Sequence, residues 1–159
     1  MRGVNCSTIP RGLTHGDFAM NLGSESRSFI RPRRLGRVAD FDLGVLFEHD
    51  SNTVSELDVA FISAQKLPLA SQSSGYWERV PDNVAEIVSP SDSPQEVIDR
   101  TRMSIRSWMP LFWKVDFETR TTEFNCPNQP LLKLSDNEML DGGQVLPSFS
   151  CPVRDLFEL

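Results

Sequence analysis

Cysteine is scarce and unpatterned in this chain. Cys6, Cys126 and Cys151 are odd in number and match no zinc-binding spacing, which argues against a disulfide framework or zinc motif and leaves reduced thiols in a cytoplasm as the expectation. No local arrangement pairs any of them with a histidine as a catalytic couple. The histidines, His15 and His49, lie too far apart in sequence to be read as a metal pair, and lysine is confined to Lys66, Lys114 and Lys133. No apolar run approaches the roughly 20 residues of a membrane-spanning helix, and MRGVNCSTIP lacks the apolar segment of a secretory signal. The phosphate-cradling GxxxxGK[ST] and the nucleophile motif GxSxG are both missing. A basic excess is missing too: the net charge is -6. That argues against a module holding DNA mainly through its phosphates. It argues less against an enzyme, because a metal ion can meet phosphate charge locally.

What is present is a chain of 159 residues, 39% of them hydrophobic, long enough to bury one core without disulfides or metal. Residues 1–13 read as an irregular N-terminal remnant and 14–159 as a single domain. Thr14 followed by Asp17 resembles a capping box, predicting a helix from near His15, with Phe18, Leu22 and Phe29 as its buried stripe and Pro32 ending it. Short strands are predicted at 36–39, 44–48 and 58–62, with HDSNT (49–53) as a hairpin turn, a loop over 68–81, and a β-branched strand at 83–89. The sharpest local signal is SPSDSPQE. Ser93 suits an N-cap, Pro94 the first helical position and Glu96 the reciprocal acid, predicting a helix from 94 to about 108. Its apolar positions Val97, Ile98, Ile105, Trp108 and Met109 share one face. Pro110 breaks it, and strands follow at 111–116 and 121–125. LDGG (140–143) reads as a turn, and PVRDLFEL as a short closing helix. This order gives an α/β domain with a mixed β-sheet flanked by helices.

Two acids stand out by strand parity. Asp58 shares a face with Ala60 and Ile62, and Glu86 with Val84 and Val88. A carboxylate on an apolar strand face needs a cation, a metal or donors. If the strands are neighbours, both can converge on one ion such as Mg²⁺, which takes oxygen ligands and can activate a water at a phosphodiester. The plainer alternative puts both acids at strand ends, solvated or paired with arginines. His15 at a helix start is either a core-edge residue or an auxiliary base or ligand. The cluster Arg27, Arg31, Arg33, Arg34 and Arg37 is either a nucleic-acid backbone contact or a solvated charge run.

The runs LDVAFISAQKLP, PDNVAEIVSPSDSPQEV, LFWKVDFETRT and LDGGQVLPSF with a final LFEL closely resemble the Uma-two family of restriction-endonuclease-like proteins, within the PD-(D/E)xK nuclease superfamily. The resemblance runs from about Thr14 to the C-terminus, and THG and RPRRLGRV support it. It implies a restriction-endonuclease-like core, DNA as substrate and a Mg²⁺ or Mn²⁺ cofactor. It places the metal-binding acids at Asp58 and Glu86 and a further ligand at the Ile87 backbone carbonyl. The motif's lysine position is Val88. The family is thought to supply that lysine from the following helix, where this chain has Arg100. Superfamily members often form homodimers, and no feature of this sequence decides that point.

The chain departs from the pattern elsewhere. Leu57 replaces the usual proline before the first acid, Ser104 stands at a helix tyrosine position, and LPSF replaces LPGF. The family's N-terminal helix and hairpin are largely missing. Arginine keeps its charge and cannot exchange a proton as lysine can. Lys114, where the family has an apolar residue, is expected to face solvent rather than to substitute. Two functions follow: a metal-dependent endonuclease using Asp58, Glu86 and Arg100, or an inactive remnant kept as a DNA- or protein-interaction domain.

Overall fold

The structure, a computed structural model, describes residues 12–40, 44–46, 54–67, 79–106 and 108–159. Helix α1 (Leu13–Ile30) leads into β1 (Gly36–Asp40), and β2 (Gly44–Leu46) pairs with β3 (Val54–Glu56) as a separate two-stranded ribbon. Then come β4 (Val59–Ser63), β5 (Asn83–Val88), helix α2 (Pro94–Arg106), β6 (Leu111–Asp116), β7 (Thr121–Asn125) and β8 (Leu132–Leu134). A second ribbon, β9 (Met139–Gly142) with β10 (Leu146–Pro152), is followed by a 3₁₀ turn over Val153–Phe157.

The main sheet has the order β1-β4-β5-β6-β7-β8. Only β5 and β6 are parallel among its described neighbours. Their connection runs through α2, the kind of crossover that a parallel pair requires. The expected mixed sheet with helices is therefore the architecture observed.

Alternation along the strands sorts the residues onto two faces. One face carries Val59, Phe61, Ala85, Ile87, Trp113, Val115 and Phe124, packed with Phe18, Leu22 and Ile30 of α1 and with Phe149, Leu156 and Phe157 from the chain's end. The other carries Ala60, Ile62, Val84 and Phe112, joined by Leu57 and Met109 in a smaller cluster.

Several local expectations need correction. Helix α1 starts at Leu13 behind Gly12, which makes no side-chain cap bond, so Thr14 already lies inside the helix. The LDGG segment is mostly strand, and the turn follows Gly142. Gly142 packs so closely on Leu146 that an added Cβ would sit 2.4 Å from its carbonyl oxygen, and Gly143 takes a left-handed φ of +53°. The two glycines thus serve a tight junction and the start of the turn rather than a longer loop. The apolar stripe predicted for α2 faces the core only in part: Ile98, Ile105 and Trp108 are exposed, Val97 is half-buried and Met109 is buried in the smaller cluster, while Ser104 is the buried residue of the helix itself. The HDSNT turn, most of the 68–81 loop and nearly all of residues 1–13 lie outside the described residues.

Candidate metal centre

The site is built where the β4–β5 ladder runs out. Val59 lies opposite Ala85 and Ala60 opposite Val84, so one step further sets Asp58 opposite Glu86. In place of another ladder bond, Asp58 Oδ2 accepts the Ile87 N–H at 2.7 Å. A strand residue presents its N–H and C=O to the same side, so the Ile87 carbonyl also faces this gap. The imidazole of His15, in the first turn of α1, enters it: Nε2 lies 3.1 Å from the Ile87 oxygen and 3.3 Å from Asp58 Oδ2. All of this is buried, with His15 at 1%, Asp58 at 0% and Glu86 at 4% exposure.

Packing explains the position of His15. Phe18, Ala19, Leu22, Ser26 and Ile30 form the inward stripe of α1, and His15 lies on the same line one turn earlier. The apolar stripe carries the histidine into the sheet's end as a consequence of docking. Its Nε2 then faces two oxygens. A proton on that nitrogen can bond well to one of them, whereas a cation between the three atoms satisfies all three.

The SPSDS turn sets the other side. Asp92 accepts the Ser89 N–H at 2.8 Å, and the Ser89 and Ser91 hydroxyls meet at 2.9 Å. The predicted capping box is present in both directions: the Ser93 N–H donates to Glu96 at 2.8 Å and the Glu96 N–H to Ser93 Oγ at 3.2 Å. With the helix started there, Arg100 reaches back over the turn. Its Nη2 lies 3.0 Å from Asp92 Oδ2 and its Nε 3.9 Å from Glu86 Oε2.

The sequence matches the family described as "Uma2: Putative restriction endonuclease" over residues 3–154. The chain belongs to this family. Among solved structures it is similar to one described as "a putative nuclease belonging to DUF820 from Anabaena variabilis", with a TM-score of 0.80 at 18% identity, covering 94% of this chain and 83% of that one. At that identity the likeness is one of fold. No curated protein matches.

Other residues of this Uma2 member fall away from the centre. The helix from His15 to Arg31 spans about 24 Å at about 1.5 Å per residue. Arg37 pairs with Ile62, toward the end of β4 away from Asp58. The exposed arginines 27, 31, 33, 34 and 37 therefore gather at the opposite end of the sheet. Lys66 is held there as well, 2.9 Å from Asp82. Burial pushes the Cys151 thiol up to about 12, aided by the charges of Glu25 and Asp155. Burial likewise raises Cys126, with a smaller contribution from Asp141. Neither thiol is poised as a nucleophile. Among the described residues no helix is long and apolar enough to cross a membrane.

The expectation for Lys114 also changes. Its side chain is only 20% exposed and its Nζ donates to Glu123 at 2.6 Å. In the parallel β5–β6 register it stands directly beside Glu86. Sequence reasoning missed that neighbour, because the signal was a strand pairing and not a local pattern.

Proposed function

We propose that this chain is a metal-dependent endonuclease hydrolysing DNA phosphodiester bonds. Asp58, Glu86, the Ile87 carbonyl and His15 would hold a Mg²⁺ or Mn²⁺ ion, with Arg100 at its edge. The observation carrying this reading is the close approach of His15 Nε2 to both the Ile87 oxygen and Asp58 Oδ2. Adjacent ligands of an octahedral ion with bonds of about 2.1 Å stand roughly 3.0 Å apart, and the 3.1 and 3.3 Å separations from His15 Nε2 support this reading. Among the described residues no three His, Cys, Asp or Glu side chains are grouped to cage an ion by themselves. The set here is instead two side chains and a backbone carbonyl, with Glu86 opposite Asp58 by the strand register as the further acid.

A divalent ion held there would supply an activated water and offset phosphate charge. The chain's own residues do the rest. Asp58 and the Ile87 carbonyl fix the strand ends, and His15 closes the site from the α1 side. Arg100, permanently charged and clamped by Asp92, faces charge that builds on the phosphate. In hydrolysis a water oxygen bonds to phosphorus and an ester P–O bond breaks. The proton the water loses is balanced by the one the leaving oxygen takes up. An imidazole among oxygen donors favours Mn²⁺ over Mg²⁺.

The test is plasmid nicking by the full chain with Mn²⁺ or Mg²⁺. Asp58→Asn is expected to lower the rate by at least about 100-fold, the scale of losing one transition-state contact. Mn²⁺ should raise the melting temperature of the unsubstituted protein and not of Asp58→Asn, by mass action on the folded state. Wild-type protein that cleaves with neither ion, or Asp58→Asn that cleaves at the wild-type rate, sinks this reading. One observation favours the second reading, an inactive member kept as an interaction domain: Val88 and Arg100 occupy the positions where a lysine would serve. Cleavage gained by Arg100→Lys in an otherwise inactive chain would support it.

A further inference from the structure

The face of the sheet under α2 carries a row of charges that crosses the strands. Glu86 on β5 lies beside Lys114 on β6, Lys114 beside Glu123 on β7, and Glu123 beside Lys133 on β8. Asp58 extends the row past β4 by the register already described. Strand parity puts the described members from Glu86 onward on one face, because their neighbours Ala85, Ile87, Trp113, Val115 and Phe124 belong to the opposite cluster.

We infer that Lys114 is the ammonium that serves the metal centre, contacting the phosphate of the substrate from the neighbouring strand. This rests on the phosphodiesterase reading above. Distance singles it out among the three lysines. Neighbouring strands lie about 4.8 Å apart, which sets Lys114 one strand from Glu86 and Lys133 three strands, or about 14 Å, away. Lys66 sits at the far end of β4 with Asp82. Val88 occupies the next same-face position of β5, about 6.6 Å along the strand from Glu86. Lys114 is thus as close to Glu86 across the sheet as a residue at position 88 is along it.

Its present partner does not account for it as a stabilising device. The Lys114–Glu123 pair is partly open to solvent on both sides, and such pairs add little stability. The pair does hold the ammonium on the sheet face, next to the acid. Lysine has three rotatable donors on a flexible stem, so Nζ can turn from Glu123 to a phosphate oxygen without moving the backbone.

Two measurements on the full chain test this. In single-turnover cleavage of a DNA duplex with Mn²⁺, Lys114→Met is expected to lower the rate at least about 100-fold, as for loss of one group stabilising transition-state charge. Mn²⁺ affinity by titration calorimetry should stay within about twofold, whereas a merely structural role would weaken both. Lys114→Arg should restore a tenth or more of the rate, and Lys133→Met should cleave normally. Wild-type rates in Lys114→Met overturn the inference.

The second measurement is independent of turnover. The lysine amines are dimethylated with ¹³C, which keeps their charge, and followed by NMR as Mg²⁺ and thymidine 5′-monophosphate are added. The Lys114 resonance should shift in the wild type and stay put in Asp58→Asn. A Lys114 signal that does not move, or moves no more than that of Lys133, overturns the inference even if Lys114→Met fails to fold. If the protein never cleaves DNA, the phosphodiesterase reading falls alone, and the resonance still decides whether Lys114 meets a phosphate at the metal centre.

Discussion

The two faces of the main sheet differ in how much apolar surface they bury and in the charges they carry. The α1 face is closed: α1, the β9–β10 ribbon and the final 3₁₀ turn pack on it, and Trp113 stacks on Phe149 with ring centroids 5.5 Å apart. The α2 face has a smaller apolar cluster, and beyond it the row of acids and lysines that leads to the candidate metal centre. Helix α2 turns Val97, Arg100, Thr101, Met103 and Ser104 toward that face, the positions with reduced exposure along its length. Polar groups can be kept on one face of a sheet only if most of the burial is done elsewhere, and here it is done on the other side of the same strands.

The sharpest way to break this comparison is to cut a buried aromatic side chain from each face. Trp113→Ala on the closed face is expected to cost roughly 3–5 kcal/mol, as for large aromatic truncations in a packed core. For a domain of this size that lowers the melting temperature by roughly 6–20 °C. Phe112→Ala, next to it in sequence but on the α2 face, should cost less than half as much, a larger gap than the smaller ring alone explains, because its cluster is smaller and its neighbourhood more open. Thermal unfolding of the two variants decides the matter. Equal losses would mean that both faces carry the fold alike.

The sequence was readable where the physics is local. The capping box of Ser93 and Glu96 spans three residues, and both its bonds form as expected. The strands at 111–116 and 121–125 could be read from alternation and flanking breakers because each is a short unit. What failed depended on partners far along the chain. The apolar period of α2 suggested that Ile98, Ile105 and Trp108 face the core. That inference assumes an apolar surface opposite the helix, yet part of that surface is Glu86, which Arg100 meets. The same blindness hid Lys114. Nothing in LFWKVD says that its lysine lies beside an acid 28 positions earlier, and only the parallel register shows it. For the site, the acids Asp58 and Glu86 were legible as carboxylates on apolar strands. The depth of His15 was not, because it depends on how α1 docks.

A milder contrast concerns the start of α2. Ser93→Ala removes one half of the capping box and should cost about 1 kcal/mol, the usual value of an N-cap. Acid should act on the same bond. The Ser93 backbone N–H and hydroxyl hold the Glu96 carboxyl below its ordinary value of 4.5. A group with a depressed folded pKa stabilises the fold fully above its unfolded pKa and loses that contribution as pH falls through the folded one. The Ser93→Ala difference in melting temperature should therefore be largest near neutral pH and shrink once the pH drops below about 4. A difference independent of pH would mean that the serine acts by some means other than its bond to Glu96.

The smallest effect is expected at the most conspicuous side chain. Trp108 is 72% exposed and follows α2 with a left-handed φ of +54°. Beside it, Ser104, Ile105, Met109 and Phe112 line a cleft of about 390 Å³. If the exposed stripe adds nothing to folding, Trp108→Gly loses little packing and relieves a backbone conformation that costs a non-glycine residue about 1–2 kcal/mol. The greater chain entropy of glycine takes back about 0.5–1 kcal/mol. These terms nearly cancel, so the melting temperature should move by no more than about 4 °C. A drop of 8 °C or more would show that the indole is packed into the fold, and that the α2 face contributes to stability as the α1 face does.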